Sequence, residues 1–282
     1  MTAIDDGPTI LVALSNPRTE GALVALAGAL AEHRGGRVLA VHVVTVPDQT
    51  SLEKAAEERA TLDRSSAELL DAAVADAAAF DAPVETKTIL SHRRVEEVFD
   101  AARTNDAAAV AMGYGGTRFA GGRAEGSLDE IAQDLPCDFL VFDGRRLEPS
   151  DVLVPTAGGP SSDLSAEVAT ALRDALGANV SLLHVVDSGG EAEGRAFLAD
   201  WAASRGLGDA TLRVETGDAE EAIARLGPTC DLVIVGATER GLLSRVVRGS
   251  PASEAIDRLD APVLLTERPS SRSLRERLFG RR

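Results

Sequence analysis

Short apolar runs alternate along the chain with longer stretches whose apolar positions recur every three or four residues. TILVALS (Thr9–Ser15), VLAVHVV (Val38–Val44) and AAVAMG (Ala108–Gly113) are too short for helices and read as buried strands. The segments between them, such as GALVALAGALAEH from Gly21, have the spacing of helices packed on a sheet. Near-continuous apolar strands separated by amphipathic helices predict parallel sheets covered on both faces.

The pattern is written twice. TILVALS corresponds to DVLVPTA (Asp151–Ala157), VLAVHVV to VSLLHVV (Val180–Val186), and AAVAMG to the run around LVIVGA that contains Gly236. His42 aligns with His184 at an offset of 142 residues, and Gly113 with Gly236 at 123, so the second copy is 19 residues shorter. The loss falls between the His strand and the Gly-rich loop. There the first copy predicts a long helix near residues 51–80, opened by Thr50 and Glu53 at capping-box spacing, and the second a shorter one near 191–205.

Local signals mark several helix ends. Asn16 and Pro17 read as an N-cap and first-turn pair, Gly35 as a stop, and Asp218 with Glu221 as a second capping box. Residues 144–150 read as a linker. The expected fold is α/β: two tandem doubly wound (Rossmann-like) open parallel-sheet domains with pseudo-two-fold symmetry, over 1–145 and 146–268, then a basic tail over 269–282. The segment from Arg268 carries six arginines against Glu276. It reads as a solvated end or as a docking helix with Leu274, Leu278 and Phe279 on one face.

Composition narrows the function classes. Among 282 residues 44% are apolar but only 3% aromatic, so alanine, valine and leucine must fill the cores. A formal charge of −16 opposes binding to nucleic acid, and there are few rings for bases to stack on. The basic residues include just two lysines, Lys54 and Lys87. Acid richness with arginine over lysine suits a halophilic source, where 1 M salt screens charges within about 3 Å. A GC-rich genome would leave the same trace.

Cys137 and Cys230 lack any CxxC spacing and read as small apolar residues. His42 and His184 occupy matching strand positions with no further ligand at metal spacing, so no metal site is expected. No run approaches transmembrane length, and MTAIDDGP lacks the order of a signal peptide, which predicts a cytoplasmic protein. No catalytic constellation is identifiable from linear spacing.

The Gly-rich loops carry the remaining chemistry. Gly113, Gly116, Gly126 and Ser127 stand in the spacing G-x2-G-x9-G-[ST], between an apolar strand and a helix-like run. Gly236, Glu239, Gly249 and Ser250 repeat it with one departure. Backbone N–H groups in such a loop, at a helix start, can face an anion.

With the duplicated strand order, this motif makes each half resemble the universal stress protein family. The resemblance implies a doubly wound sheet and an adenine nucleotide, ATP or AMP, the former with Mg, between the first and fourth strands. It would place phosphates on Gly113, Gly116, Gly126 and Ser127, and adenine against the backbone near Val43.

The aspartate that nucleotide-binding members carry after the first strand is replaced by Ser15 in one copy and Ala157 in the other, and Glu239 adds a negative charge to the second loop. The second site, with Ala157, Gly236, Glu239, Gly249 and Ser250, is therefore expected to be degenerate. The resemblance also implies pairing through the last strands, FLVFD (Phe139–Asp143) and PVLLTE (Pro262–Glu267), and is compatible with a homodimer.

The functional expectation is a cytosolic stress-response regulator that binds an adenine nucleotide in its first domain, with no chemistry of its own identified and slow ATP hydrolysis left open. An alternative is a nucleotide-free adaptor docking on a membrane transporter or another partner. A remote one is a PP-loop-like nucleotide hydrolase, from TAGGPSSD (Thr156–Asp163), which keeps chiefly Gly158 and Gly159 of that loop.

Overall fold

A computed structural model describes residues 7–46, 62–114, 135–237 and 261–269. Among these, 7–114 with 145–147 form one compact unit, and 135–144 with 148–237 and 261–269 form the other.

The first unit runs β1 (Thr9–Leu14), α1 (Glu20–Arg34), β2 (Arg37–Thr45), α2 (Leu62–Ala77), β3 (Val84–Ser91), α3 (Arg94–Thr104) and β4 (Ala107–Gly113). Its strands are parallel in the order β3-β2-β1-β4. Ile10, Leu11 and Val12 are fully buried, as a strand covered on both faces requires. Helix α1 is buried from Ala22 to Ala31 with only Ala25 less covered, because its Ala and Gly positions let other groups approach closely. A Cβ on Gly28 would lie 2.5 Å from the Phe80 ring. The missing side chain at Gly28 thus makes room for the Phe80 ring against the helix backbone.

The second unit runs β5 (Asp138–Asp143), β6 (Asp151–Pro155), α4 (Pro160–Leu176), β7 (Asn179–Val186), α5 (Glu191–Ala203), β8 (Thr211–Thr216), α6 (Ala219–Leu226), β9 (Leu232–Gly236) and β10 (Val263–Glu267). Five strands are parallel in the order β8-β7-β6-β9-β10. The order matches that of the first unit, so the sequence repeat is a repeat of topology. Leu153, Leu183 and Val233, from three neighbouring strands, meet Ala222 and Leu226 of α6. Burying each such leucine or valine contributes about 1.5–3 kcal/mol.

Strand β5 lies antiparallel on β10, with Asp143 opposite Val263 and Phe139 opposite Glu267. The two apolar closing strands therefore pair with each other, as the family resemblance implies. The compact units are accordingly not the sequence repeats, since β5 closes the first repeat yet belongs to the sheet of the second unit.

Arg268 fixes this pairing. Its Nε donates to Asp138 Oδ1 at 3.0 Å and its Nη2 to Oδ2 at 2.9 Å, while Nη2 also donates to Glu167 Oε2 of α4 at 2.6 Å. The first arginine of the basic segment is thus a two-pronged staple between β10, β5 and α4. Residues 270–282, with Leu274, Leu278 and Phe279, lie outside the described residues.

Several local signals are realised. Gly35 ends α1 in the left-handed region at φ 61°. Asp218 caps α6, its Oδ1 accepting from Glu221 N–H at 2.9 Å. The shorter helix of the second copy is α5. The long helix of the first is described as α2 from Leu62, and the Thr50–Glu53 box lies outside the described residues.

The start of α1 differs from expectation. Asn16 Oδ1 accepts from Arg18 N–H at 3.0 Å and the Asn16 carbonyl from Thr19 N–H at 3.1 Å, closing a separate turn, and the helix begins at Glu20. An asparagine side chain that satisfies the amide two residues on makes a turn instead of a helix cap.

Candidate functional site

In an open parallel sheet, a ligand crevice forms beyond the carboxyl ends of strands where the order reverses. In the first unit that point lies between β1 and β4. Leu14 pairs with His42 and Ala13 with Met112, so Ser15, Val43 and Gly113 all fall just past the last pairs, at one end of the sheet. Ser15 is exposed, and Val43 has a buried side chain. Gly116, Gly126 and Ser127 lie outside the described residues.

The turn after Ser15 delivers Thr19 and Leu23 to one side of Gly113. A Cβ built on Gly113 would sit 3.7 Å from Leu23 Cδ1 and 3.9 Å from Thr19 Oγ1, ordinary contact distances. Helix α1 and the turn before it therefore stand beside Gly113 at ordinary contact distance. His42 sits nearby, its Nδ1 at 3.0 Å from the buried Ser66 hydroxyl. His92 Nδ1 reaches the Val46 carbonyl at 2.9 Å.

The second unit treats the equivalent point differently. Thr156 Oγ1 accepts from Gly158 N–H at 3.0 Å, and Gly158 and Gly159 take φ of 83° and 93°, which turns the chain straight into α4 at Pro160. A Cβ on Gly236 would lie 2.9 Å from Ser161 C and Ser162 N. Backbone of α4 thus rests directly on the end of β9.

Hydrogen bonds hold it there. Ser165 and Thr266 hydroxyls are 2.7 Å apart, Thr266 Oγ1 donates to the Ser161 carbonyl at 3.2 Å, and Arg268 N–H donates to Ser161 Oγ at 3.3 Å. Ala157 is exposed beside this turn and offers only a methyl group. Glu239, Gly249 and Ser250 lie outside the described residues.

Asp163 and Thr156 of TAGGPSSD are also engaged within the fold. Asp163 Oδ1 accepts from Arg205 Nε at 2.7 Å and from Trp201 Nε1 at 3.2 Å, and the guanidinium lies 4.7 Å from the centre of the Trp201 ring. His184 Nδ1 is 2.8 Å from the Thr156 carbonyl, and its ring centre is 4.7 Å from that of Phe197. The two aligned histidines have therefore taken different neighbours, one a serine hydroxyl and the other a carbonyl and a ring. Cys137 is buried and Cys230 half-buried. Among the described residues, no group of three or more His, Cys, Asp or Glu is placed to hold a metal.

One group on the first unit's crevice wall escapes sequence reading. Glu20 opens α1 where an acid normally complements the helix dipole in water. Here it is only 5% exposed, and burial, then the charge of Asp76 and a hydrogen bond with it, push its carboxyl up to about 7. Its Oε1 has no hydrogen-bond partner. Spacing shows the first turn of a helix but not that another helix brings a second carboxylate onto it.

Known proteins share this architecture. Residues 8–143 match the model of the universal stress protein family. No curated protein matches the chain. Among solved structures, a universal stress protein from Archaeoglobus fulgidus DSM 4304 superposes with a TM-score of 0.62 at 17% identity, covering 93% of this chain and 97% of that one. One from Pseudomonas aeruginosa UCBPP-PA14, a putative universal stress protein by its description, gives 0.59 at 17%, covering 95% of each. The cytoplasmic domain of a prokaryotic cation chloride cotransporter gives 0.55 at 12%, covering 92% of this chain and 95% of that one. At these identities the likeness is one of fold.

Proposed function

Residues 8–143 belong to the universal stress protein family, and from that premise we propose that the chain is a cytoplasmic stress-response regulator that takes one adenine nucleotide, in its first unit. The observation that supports this reading is the contrast at two equivalent glycines. A Cβ added at Gly113 would have ordinary clearance to Leu23 and Thr19, whereas one added at Gly236 would lie 2.9 Å from the backbone of α4. A phosphate needs backbone amides it can approach, and we take the closer seating of α4 at Gly236 to disfavour that approach in the second unit.

In this reading Ser15, Gly113, Gly116, Gly126 and Ser127 hold the ribose and phosphates, with Mg accompanying ATP. The second site, at Ala157, Gly236, Glu239, Gly249 and Ser250, is degenerate. Glu239 strengthens the asymmetry: at an effective dielectric near 20, two like charges 4 Å apart repel by about 4 kcal/mol before screening.

Native mass spectrometry of the purified chain, followed by calorimetric titration with ATP and AMP, tests the reading. One site per chain is expected, abolished by Gly116→Glu and unchanged by Glu239→Gln. Gly236→Val, a neutral control on spacing alone, is unsuitable because its side chain would collide with Ser161 and Ser162. Two equal sites, or undiminished binding in Gly116→Glu, would overturn the assignment to the first unit. Absence of any nucleotide binding would favour the adaptor that docks on a transporter or another partner.

A further inference from the structure

The helix after the second strand of each repeat meets that strand's histidine with a different side chain. In the first unit α2 brings the buried Ser66 hydroxyl to His42. In the second, α5 brings the ring of Phe197 to His184, with ring centres 4.7 Å apart and planes tilted by 45°. Phe197 also reaches the loop after β6, where a Cβ on Gly158 would lie 3.5 Å from its Cζ and 3.8 Å from its Cε2. Gly158 stands three residues past Pro155, the last of β6. A ring touching it therefore lies beyond the sheet end, where the crevice of an open parallel sheet forms, and not in the core between sheet and helix. Exposure agrees: Phe197 is half-buried, whereas its neighbour Leu198 is fully buried.

We propose that in the second unit the Phe197 ring takes the space that an adenine base takes in the first, so that this one side chain excludes the base from the second crevice. The proposal rests on the reading that the first crevice holds an adenine nucleotide, and names the residue that makes the base sides of the two crevices unequal.

The repeat places the ring. At the offset that aligns His42 with His184, Ser15 and Val43 correspond to Ala157 and Val185. Phe197 rests on the residues adjoining both of these, Gly158 and His184. Its position is fixed from two sides. Gly194, one turn earlier on α5, lets the helix backbone close onto β7, since a Cβ there would lie 2.7 Å from Val186 Cγ1 and 3.2 Å from His184 Cδ2. Trp201, one turn later, donates from Nε1 to Asp163 Oδ1 of α4 at 3.2 Å. A single threonine holds both surfaces that the ring touches: His184 Nδ1 donates to the Thr156 carbonyl at 2.8 Å, and Thr156 Oγ1 accepts from Gly158 N–H at 3.0 Å. A base would have to displace a ring that is always present and that moves only with α5. Truncating the ring leaves a space beside His184 and Gly158 of the kind that takes up a flat ligand; an apolar cavity of about 150 Å3 binds benzene.

The test compares the full chain with Phe197→Ala by equilibrium dialysis against adenosine, which carries the base and no phosphate. Trp201, the chain's one tryptophan, lies one turn from Phe197, and its emission is recorded in parallel as a report on the second unit. Titration of the wild type with AMP measures the first-unit reading on its own. The proposal is read from the difference between the two chains, whatever the first unit does. Phe197→Ala should bind one adenosine more than wild type, with a Kd of about 1 mM or lower, and adenosine should shift its Trp201 emission while leaving that of the wild type constant. No gain in the variant, or a Trp201 response to adenosine in the wild type, would overturn it. Phe197→Ser copies the histidine–serine pair of the first unit and should gain the same site. Should both variants lose the packing of α5, NMR of the wild type decides: nuclear Overhauser contacts from the Phe197 ring to the Gly158 α protons are expected, and their absence would overturn the proposal without any variant.

Discussion

Adding one methyl group at Gly113 and at Gly236 should have opposite consequences, although the two glycines hold the same place in the repeated motif. Neither has a positive φ, so backbone strain does not separate them. At Gly113 the new Cβ meets Leu23 and Thr19 at 3.7 and 3.9 Å, so Gly113→Ala gains contact and loses unfolded-state freedom. Such a change is worth about 0.4–1 kcal/mol of stabilisation. At Gly236 the methyl meets Ser161 C, Ser162 N and Ser161 O at 2.9–3.0 Å.

Those atoms are backbone in the first turn of α4, tied down by Thr266 and Arg268, and they cannot swing away as a side chain would. Overpacking of this kind costs about 1–3 kcal/mol. Trp201, the one tryptophan, is buried in the second unit, so its fluorescence follows that unit through urea unfolding. Far-ultraviolet circular dichroism follows the whole chain. Gly236→Ala should lower the Trp201 midpoint and Gly113→Ala should leave it unchanged. If Gly236→Ala leaves the midpoint within about 0.5 kcal/mol of wild type, α4 does not rest on β9 as described, and the asymmetry between the crevices loses its basis.

Replacing Arg268 by Ala leaves Asp138 and Glu167 close together without their cation; breaking such a partly buried cluster should destabilise the second unit by about 2–3 kcal/mol in the Trp201 assay, with Arg268→Lys recovering only part. Asp163→Asn weakens the hold on Arg205 and should shift the Trp201 emission itself as the guanidinium leaves the ring, a change that no loss of nucleotide would mimic. Glu20 contributes stability that is complete below pH 4.5, where both folded and unfolded forms bind the proton, and that is lost as pH rises toward about 7. The difference between those values corresponds to at most about 3 kcal/mol, so Glu20→Gln should flatten the fall in stability between pH 5 and 8.

Much of the architecture was legible because it depends on periodicity and turn chemistry. The apolar runs became parallel strands, the repeat became a repeated strand order, and Gly35 and Asp218 ended and began helices as their residue types require. Asn16 was ambiguous in principle: the same side chain can cap a helix or close a turn, and only the chain's path to Thr19 decides. The candidate site was legible as a place, since Ser15, Val43 and Gly113 fall at one sheet end.

What spacing could not show is what else arrives there. The seating of α4 on Gly236, the Asp76 carboxylate on Gly21 and the capture of Asp138 by Arg268 all depend on contacts between residues far apart in sequence. An arginine that opens a basic segment reads as solvated until its partners, 130 residues earlier and in α4, are known.

The antiparallel pairing of β5 with β10 also constrains synthesis. Asp143 leaves the ribosome 120 residues before Val263, its partner in the sheet. At about 5–20 residues per second, β5 waits on the order of ten seconds for that neighbour. During that interval an apolar strand with open hydrogen-bonding groups is exposed to other nascent chains. A message truncated after residue 145 would make the exposure permanent, so expression of the first half alone should yield aggregate or a strand-exchanged pair, while coexpression with the second half should restore solubility by supplying β10 in trans.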